Sequence, residues 1–222
     1  MSSDLREIYR TYEDLLADVD REFGRVRDMF IDRMQCRQGC SSCCSQLFSI
    51  SAIEGAYISK AVKELEPEAR EQMRQRAREY LTELTSGAFD ETHSAEEHSR
   101  VVGEALDRLV GRHHIPCPAL VDDACSIYGN RPILACKYGI PLWNPKKPNV
   151  LQACELNFTD GEVIEAEGLV EPQMQLEYRW LSFKASVGEE LDLPDLVATV
   201  ASAVVFDCEA LLEDGISSSP AT

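Results

Sequence analysis

Basic residues are scarce in this chain. Lysine and arginine total 22 against 39 aspartates and glutamates, a net charge of −17. The shortage is sharpest over 140–222, where four basic residues (Lys146, Lys147, Arg179, Lys184) face fifteen acidic ones. Such a surface repels phosphate backbones and anionic headgroups, which disfavours nucleic-acid and membrane partners. Long apolar runs are missing too, since no segment approaches the ~20 residues of a membrane span. The opening MSSDLREIYRTYEDLL is charged throughout and has no apolar centre, so no secretory signal is expected. The expected compartment is therefore the cytoplasm, where thiols stay reduced. A Ser–His–Asp set, a Gly-rich phosphate loop and an HExxH pair are all lacking, which leaves hydrolase and nucleotide-binding readings without support. There is no internal repeat and no strong alternation of the kind that marks strands.

Cysteine is what the chain does have. Eight of its nine cysteines form two blocks: Cys36, Cys40, Cys43 and Cys44 together, then Cys117, Cys125, Cys136 and Cys154. With 44% hydrophobic residues in 222, a core can form without disulfides. Four thiols within nine residues, followed by three in a stretch full of chain breakers, are poorly explained as packing. Disulfides are disfavoured by the expected compartment. The remaining reading is metal or redox chemistry.

Hydrophobic periodicity places the blocks on a mainly helical fold. Leu5, Ile8, Tyr12, Leu15, Val19, Phe23, Val26 and Phe30 recur every three or four residues, which predicts an amphipathic helix of roughly eight turns. Asp4 and Glu7 stand in capping-box register at its start. The helix points at Cys36, so the first block is expected on its last turn and the loop after Gly39. Cys36 and Cys40 would then lie one turn apart on the same face. Ser51 with Glu54 opens a second helix to about Leu65, Pro67 a third over 67–84, and Ser94 with Glu97 a fourth continuing to Val110. Pro116, Pro118, Gly129, Pro132, Gly139, Pro141, Pro145 and Pro148 make 115–149 irregular. Helices are expected again over 171–185 and 194–212. The layout is thus a helix over 1–35, a cysteine-cluster metal-binding domain over 36–154, helices packing on it over 155–214, and a flexible tail over 215–222.

Thiolates bind zinc, iron and iron–sulfur clusters because sulfur is soft, and four of them complete a tetrahedral shell. The C-x2-C of Cys40 and Cys43 lets two sulfurs reach one metal. Cys43 and Cys44 are adjacent, and neighbouring side chains diverge. The pair suits two neighbouring sites, a bridging thiolate or a polynuclear cluster. Cys208 falls on the stripe Val197, Ala201, Val204, Cys208 and Leu211 and is expected in the core. His113 and His114 precede Cys117 but are expected at the surface or in packing, and His93 and His98 point to no chemistry. Arg131 either pins the loop before Pro132 or reaches a carboxylate or a cluster sulfur. Tyr128 and Tyr138 are expected to pack.

The run Cys40-Ser-Ser-Cys43-Cys44, with Cys117-Pro-Ala-Leu, Cys125-Ser-Ile-Tyr-Gly-Asn-Arg-Pro-Ile-Leu-Ala-Cys136-Lys-Tyr and Cys154, resembles the YkgJ-like cysteine-cluster proteins, zinc- or iron-chelating domains named for a CxxCxxCC block. The resemblance covers 36–154. It implies that all eight cysteines, Cys36, Cys40, Cys43, Cys44, Cys117, Cys125, Cys136 and Cys154, are ligands to zinc or iron, and the adjacent pair with the total of eight thiols tilts the expected cofactor to iron or an iron–sulfur cluster, with zinc the close alternative. The chain departs from the pattern in separating Cys36 and Cys40 by three residues instead of two. This makes Cys36–Cys40–Cys43 match the triad of radical S-adenosylmethionine enzymes, although no strand–helix series follows to build their barrel. Three functions follow as expectations. One is a metal-binding protein holding zinc or iron. The second is an iron–sulfur enzyme of methyl-transfer or radical type, since flagellin lysine methylases are similar in carrying a related cluster. The third is a thiol redox sensor. No protein partner and no catalytic residue is indicated.

Overall fold

Apolar stripes three and four residues apart must be covered, and the chain covers them by packing helices on one another. The computed structural model describes residues 4–37, 39–144, 150–161 and 163–218. The fold is mainly α, with 58% of residues helical and 5% in strands, so the strands only pin loops. The order is α1 (Leu5–Met29), α2 (Ala52–Glu64), α3 (Pro67–Leu84), α4 (Ala95–Leu109), β1 (Leu120–Val121), β2 (Ala124–Cys125), α5 (Ile133–Lys137), β3 (Leu142–Trp143), β4 (Leu151–Gln152), α6 (Val170–Glu190), α7 (Val200–Val205) and α8 (Cys208–Ser218). No helix among the described residues is long and apolar enough to cross a membrane. Pro145, Pro148 and the tail residues 219–222 lie outside the described residues.

Three buried clusters share the work, the smallest formed by Val26, Met34, Ile140 and Leu169 with Cys36 packed against it. In the first, α2, α3, α4 and α7 meet around Ile58, Met73, Leu81, Leu84 and Val102, and Ile115, Ala119 and Ile127 of the irregular segment join them. In the second, α1 packs on α5 and α6, with Tyr12 edge-on to Tyr57 and tilted against Trp180. Glu54 links the cores. Its carboxylate closes the capping box of α2 on Ser51 and also accepts the Ile133 N–H at 3.0 Å, fixing the start of α5. Burial raises its pKa above the ordinary carboxylate value.

Two expected helices end differently. The first stops at Met29 and does not reach Cys36. Asp4 caps it by accepting the Arg6 N–H. At the other end Phe30 turns out and packs edge-on against Phe158 at 5.2 Å. Arg33 O then accepts the Phe158 N–H at 3.0 Å, and Gln35 N–H goes to Asn157 Oδ1 at 2.7 Å. Backbone groups that would have continued the helix are taken by a loop some 120 residues away. Cys36 therefore sits in irregular chain, and it does not face Cys40 across a helical turn. The C-terminal stretch expected over 194–212 is not helical before Val200, where Ala198 bridges to Ile50 and Thr199 caps α7, and beyond that it forms two helices because the Ser59 hydroxyl interrupts it. That hydroxyl donates to Ala203 O at 2.8 Å and accepts the Cys208 N–H at 3.1 Å, replacing the partners a continuous helix would supply. The break resets the phase, so Leu212 is fully buried and Leu211, the residue expected in the core, is 38% exposed. Helix α8 also runs through Gly215 to Ser218, part of the expected tail.

His98 is a third difference. It is buried, its Nε2 lies 2.9 Å from Ser202 Oγ, and its ring stands edge-on to Phe206 and Phe89. It joins α4 to α7. Burial pushes its pKa down to about 4 from the ordinary 6.5. Because the folded value is the lower one, its contribution is intact above 6.5 and is lost as pH falls from 6.5 to about 4. The full loss is about 3 kcal/mol at 1.36 kcal/mol per pKa unit. Denaturant melts at pH 7 and pH 4.5 should show a smaller difference for His98→Gln than for the native chain. Parallel losses would show that His98 contributes nothing to the acid limb.

Candidate metal centre

The first cysteine block leaves α1 in a turn around Gly39 (φ 85°), with Cys40 N–H bonded to Arg37 O, and enters a 3₁₀ turn over Ser42–Ser45. The second block begins beside it. Cys117 N–H donates to Cys44 O at 2.8 Å and Ile115 N–H to Ser45 O at 3.2 Å. Two segments separated by about seventy residues are thus joined through main chain. Leu120 N–H bonds Cys117 O, and Leu120 is paired across the β1–β2 ladder with Cys125. The ladder closes through Asp122 and Asp123, both in the left-handed region, as a tight two-residue hairpin requires. Ser41 Oγ donates to Asp123 Oδ1 at 2.8 Å and fastens this hairpin to the first block. Cys136 stands on α5, its thiol directed at Arg131 O 3.7 Å away.

Cys36, Cys40, Cys43, Cys44, Cys117, Cys125 and Cys136 border one cavity of about 580 Å³. Phe23, Phe48, Tyr80 and Val200 line its apolar wall, and Asp20, Arg27, Arg37 and Arg131 its polar rim. Cys154 opens on an adjacent cavity of about 390 Å³ that shares Tyr138 with the first. All nine cysteines are free thiols. Among the described residues no three His, Cys, Asp or Glu side chains make a closed shell for a metal ion. The thiols face a common space, and the spacing is open.

Asn157 is the site residue that reading the sequence missed. It is buried, donates from Nδ2 to Cys36 Sγ at 3.3 Å and to Gly139 O at 2.7 Å, and accepts the Gln35 N–H. Its own N–H bonds Cys154 O at 2.9 Å. One amide therefore holds the ends of both blocks. The only trace in sequence is its position three residues after Cys154. Gly139 is the second omission. Its φ is 115°, and a Cβ there would stand 2.6 Å from Cys36 Sγ.

Burial sets the ionisation of the thiols. It pushes Cys117 up to about 11 and Cys136 up to about 12, and raises Cys36, Cys125 and Cys154. Cys43 and Cys44 follow one another on the 3₁₀ turn, and the ionisation of one thiol is tied to that of the other. Cys43 holds its proton, while Cys44 is lowered by accepting from it. Arg131 favours the thiolate at Cys43, Cys44, Cys125 and Cys136. Arg131 pins the loop through Nε–H to Tyr128 O at 2.9 Å, lies 3.6 Å over the Tyr128 ring and stands 3.9 Å from Asp20. Tyr128 itself is 65% exposed, so it serves as a platform for the guanidinium and is not packed in the core. Deprotonated soft sulfur is what zinc, iron and iron–sulfur clusters bind, so the chemistry of this donor set fits those groups. Raised thiol pKa values make any such binding release protons and strengthen with pH.

The remaining candidates lie elsewhere. His113 and His114 are exposed, with His113 Nε2 at 3.1 Å from Glu83. Cys208 is buried in the first core against Gly55, away from the cavity. Cys208→Ala should cost on the order of 1 kcal/mol in a denaturant melt and leave metal content unchanged. Loss of a metal equivalent would put Cys208 among the ligands.

No family model, no curated protein and no solved structure matches the chain.

Proposed function

We propose that this is a metal-binding protein of YkgJ-like type. Its eight cysteines hold iron, as ions or as an iron–sulfur cluster, or zinc. The observation that carries the reading is the convergence of seven thiols, from segments up to a hundred residues apart, on one cavity. Packing alone gives no reason for that. Cys36, Cys40, Cys43, Cys44, Cys117, Cys125, Cys136 and Cys154 supply the ligands, and Asn157 and Arg131 orient and polarise them. Reduced thiols in this number suit the cytoplasm.

A second reading is favoured by the cavity's size. A space of about 580 Å³ falls in the range of small-molecule pockets, ~300–1,000 Å³, which suits an iron–sulfur enzyme with room for a substrate beside its thiols. Anaerobic purification followed by elemental analysis and visible absorption tests both. Stoichiometric iron with a brown colour supports an iron–sulfur centre, and a colourless zinc-loaded protein supports the simpler one. A metal-free protein whose thiols all titrate and oxidise reversibly would overturn both in favour of a redox sensor.

A further inference from the structure

We propose that the thiol-lined cavity takes a small organic anion with an apolar body, its acidic group held by Arg131 and its body laid against the aromatic and aliphatic wall. The inference rests on the reading that the cavity has room for a substrate, and it gives that substrate a chemical class.

Arg131 is held so as to present a fork. Its Nε–H donates to Tyr128 O at 2.9 Å and its guanidinium lies 3.6 Å over the Tyr128 ring, which fixes the plane from two directions. The side chain is only 19% exposed, yet among the described residues its terminal nitrogens make no hydrogen bond, the nearest acid, Asp20, standing 3.9 Å away. A guanidinium already set in one orientation loses little freedom when it closes on a carboxylate or a group like it.

Charge at the rim departs from that of the chain. Three arginines, Arg27, Arg37 and Arg131, border the cavity against two acids, Asp20 and Asp123, in a protein of net charge −17. Asp123 accepts from Ser41 Oγ and Arg27 pairs with Asp28, while Arg37 is exposed and has no ion pair among the described residues. The wall supplies the other half of the site. Phe23, Phe48, Leu134 and Val200 border the cavity and are only half-buried, so apolar surface remains for a ligand to remove from water. A mostly apolar cavity with a few placed polar groups is the usual form of a small-molecule site. An uncharged ligand would leave the fork unanswered, and a bare inorganic ion would leave the wall wet.

Fluorescence titration of the anaerobically purified chain compares anilinonaphthalenesulfonate with phenylnaphthylamine, the same skeleton without the sulfonate. The sulfonate should bind at a single site and at least about tenfold more tightly, as one charge-assisted hydrogen bond provides, although the chain's net charge repels it. Arg131→Gln should abolish that preference and leave phenylnaphthylamine affinity unchanged. Arg112→Gln, exposed and outside the cavity lining, should alter neither. Equal affinities in the native chain, or an undiminished preference in Arg131→Gln, overturns the proposal. Should Arg131→Gln not fold, Arg37→Gln takes its place as a surface substitution, and an unchanged preference there is equally fatal. Metal measured in the same samples separates the two failures. A metal-free chain that keeps the preference loses the metal-binding reading alone, and a metal-loaded chain without it loses the anion site alone.

Discussion

Gly139→Ala is expected to destabilise the fold by about 1–3 kcal/mol, the cost of holding a side-chain-bearing residue in a glycine-only backbone region. It should also uncouple Cys36 from the site. The backbone at 139 has φ 115°, and the new methyl would meet Cys36 Sγ at 2.6 Å. Relief requires moving either the sulfur or the 139 backbone. The 139 carbonyl accepts from Asn157 Nδ2, so the shift breaks the amide bridge between Cys36 and Cys154. Denaturant melts measure the first effect and the alkylation rate of Cys36 the second. Gly129→Ala is the control, because nothing lies within 4 Å of a Cβ there. Equal, small losses in the two variants would mean that the 139 turn rearranges freely and that Cys36 is not held where the structure shows it.

Chelation under reducing conditions should leave most helical circular dichroism intact while exposing the irregular segment to protease. The two larger cores bury α1 to α4 and α6 to α8 against one another mainly through aliphatic and aromatic side chains, with Cys136 buried in the second and Cys117 and Cys125 packed against the first. Among the described residues between α4 and α6 the longest helix has five residues and the ladders two pairs each. Ile115, Ala119, Ile127 and Ile133 anchor this segment at intervals, with Cys117 and Cys125 between anchors and Cys136 on α5. Limited trypsin digestion should therefore gain cleavage at Lys137, whose side chain is 28% exposed. Complete loss of helicity would show that the centre holds the whole fold together, as in zinc fingers. Unchanged trypsin resistance would leave the cysteines without a role in ordering the loops.

Capping chemistry made most of the helical layout readable. Ser51 with Glu54, Pro67, and Ser94 with Glu97 all act at the helix starts they mark, because a cap is decided by residues three apart in sequence. Breakers likewise marked the irregular stretch. What stayed hidden depends on partners far along the chain. The end of α1 is set by Asn157 and Phe158, and the break between α7 and α8 by Ser59 on α2. Periodicity cannot register such competitors, since an unbroken stripe looks the same whether or not a distant hydroxyl interrupts it. The same limit applies at the site. Cysteine spacing named the candidate donors, but the bridge through Asn157 and the bare α-carbon of Gly139 gain their meaning only once Cys36 meets Gly139 and Asn157 in the fold.

X-ray absorption at the edge of the metal in the anaerobically purified chain tests the central claim most directly. Ligation by the two cysteine blocks predicts a first shell of sulfur alone at ~2.3 Å, with a metal–metal distance added if the group is a cluster. A first shell of nitrogen or oxygen at ~2.0–2.2 Å, or a chain that carries no metal, would contradict it.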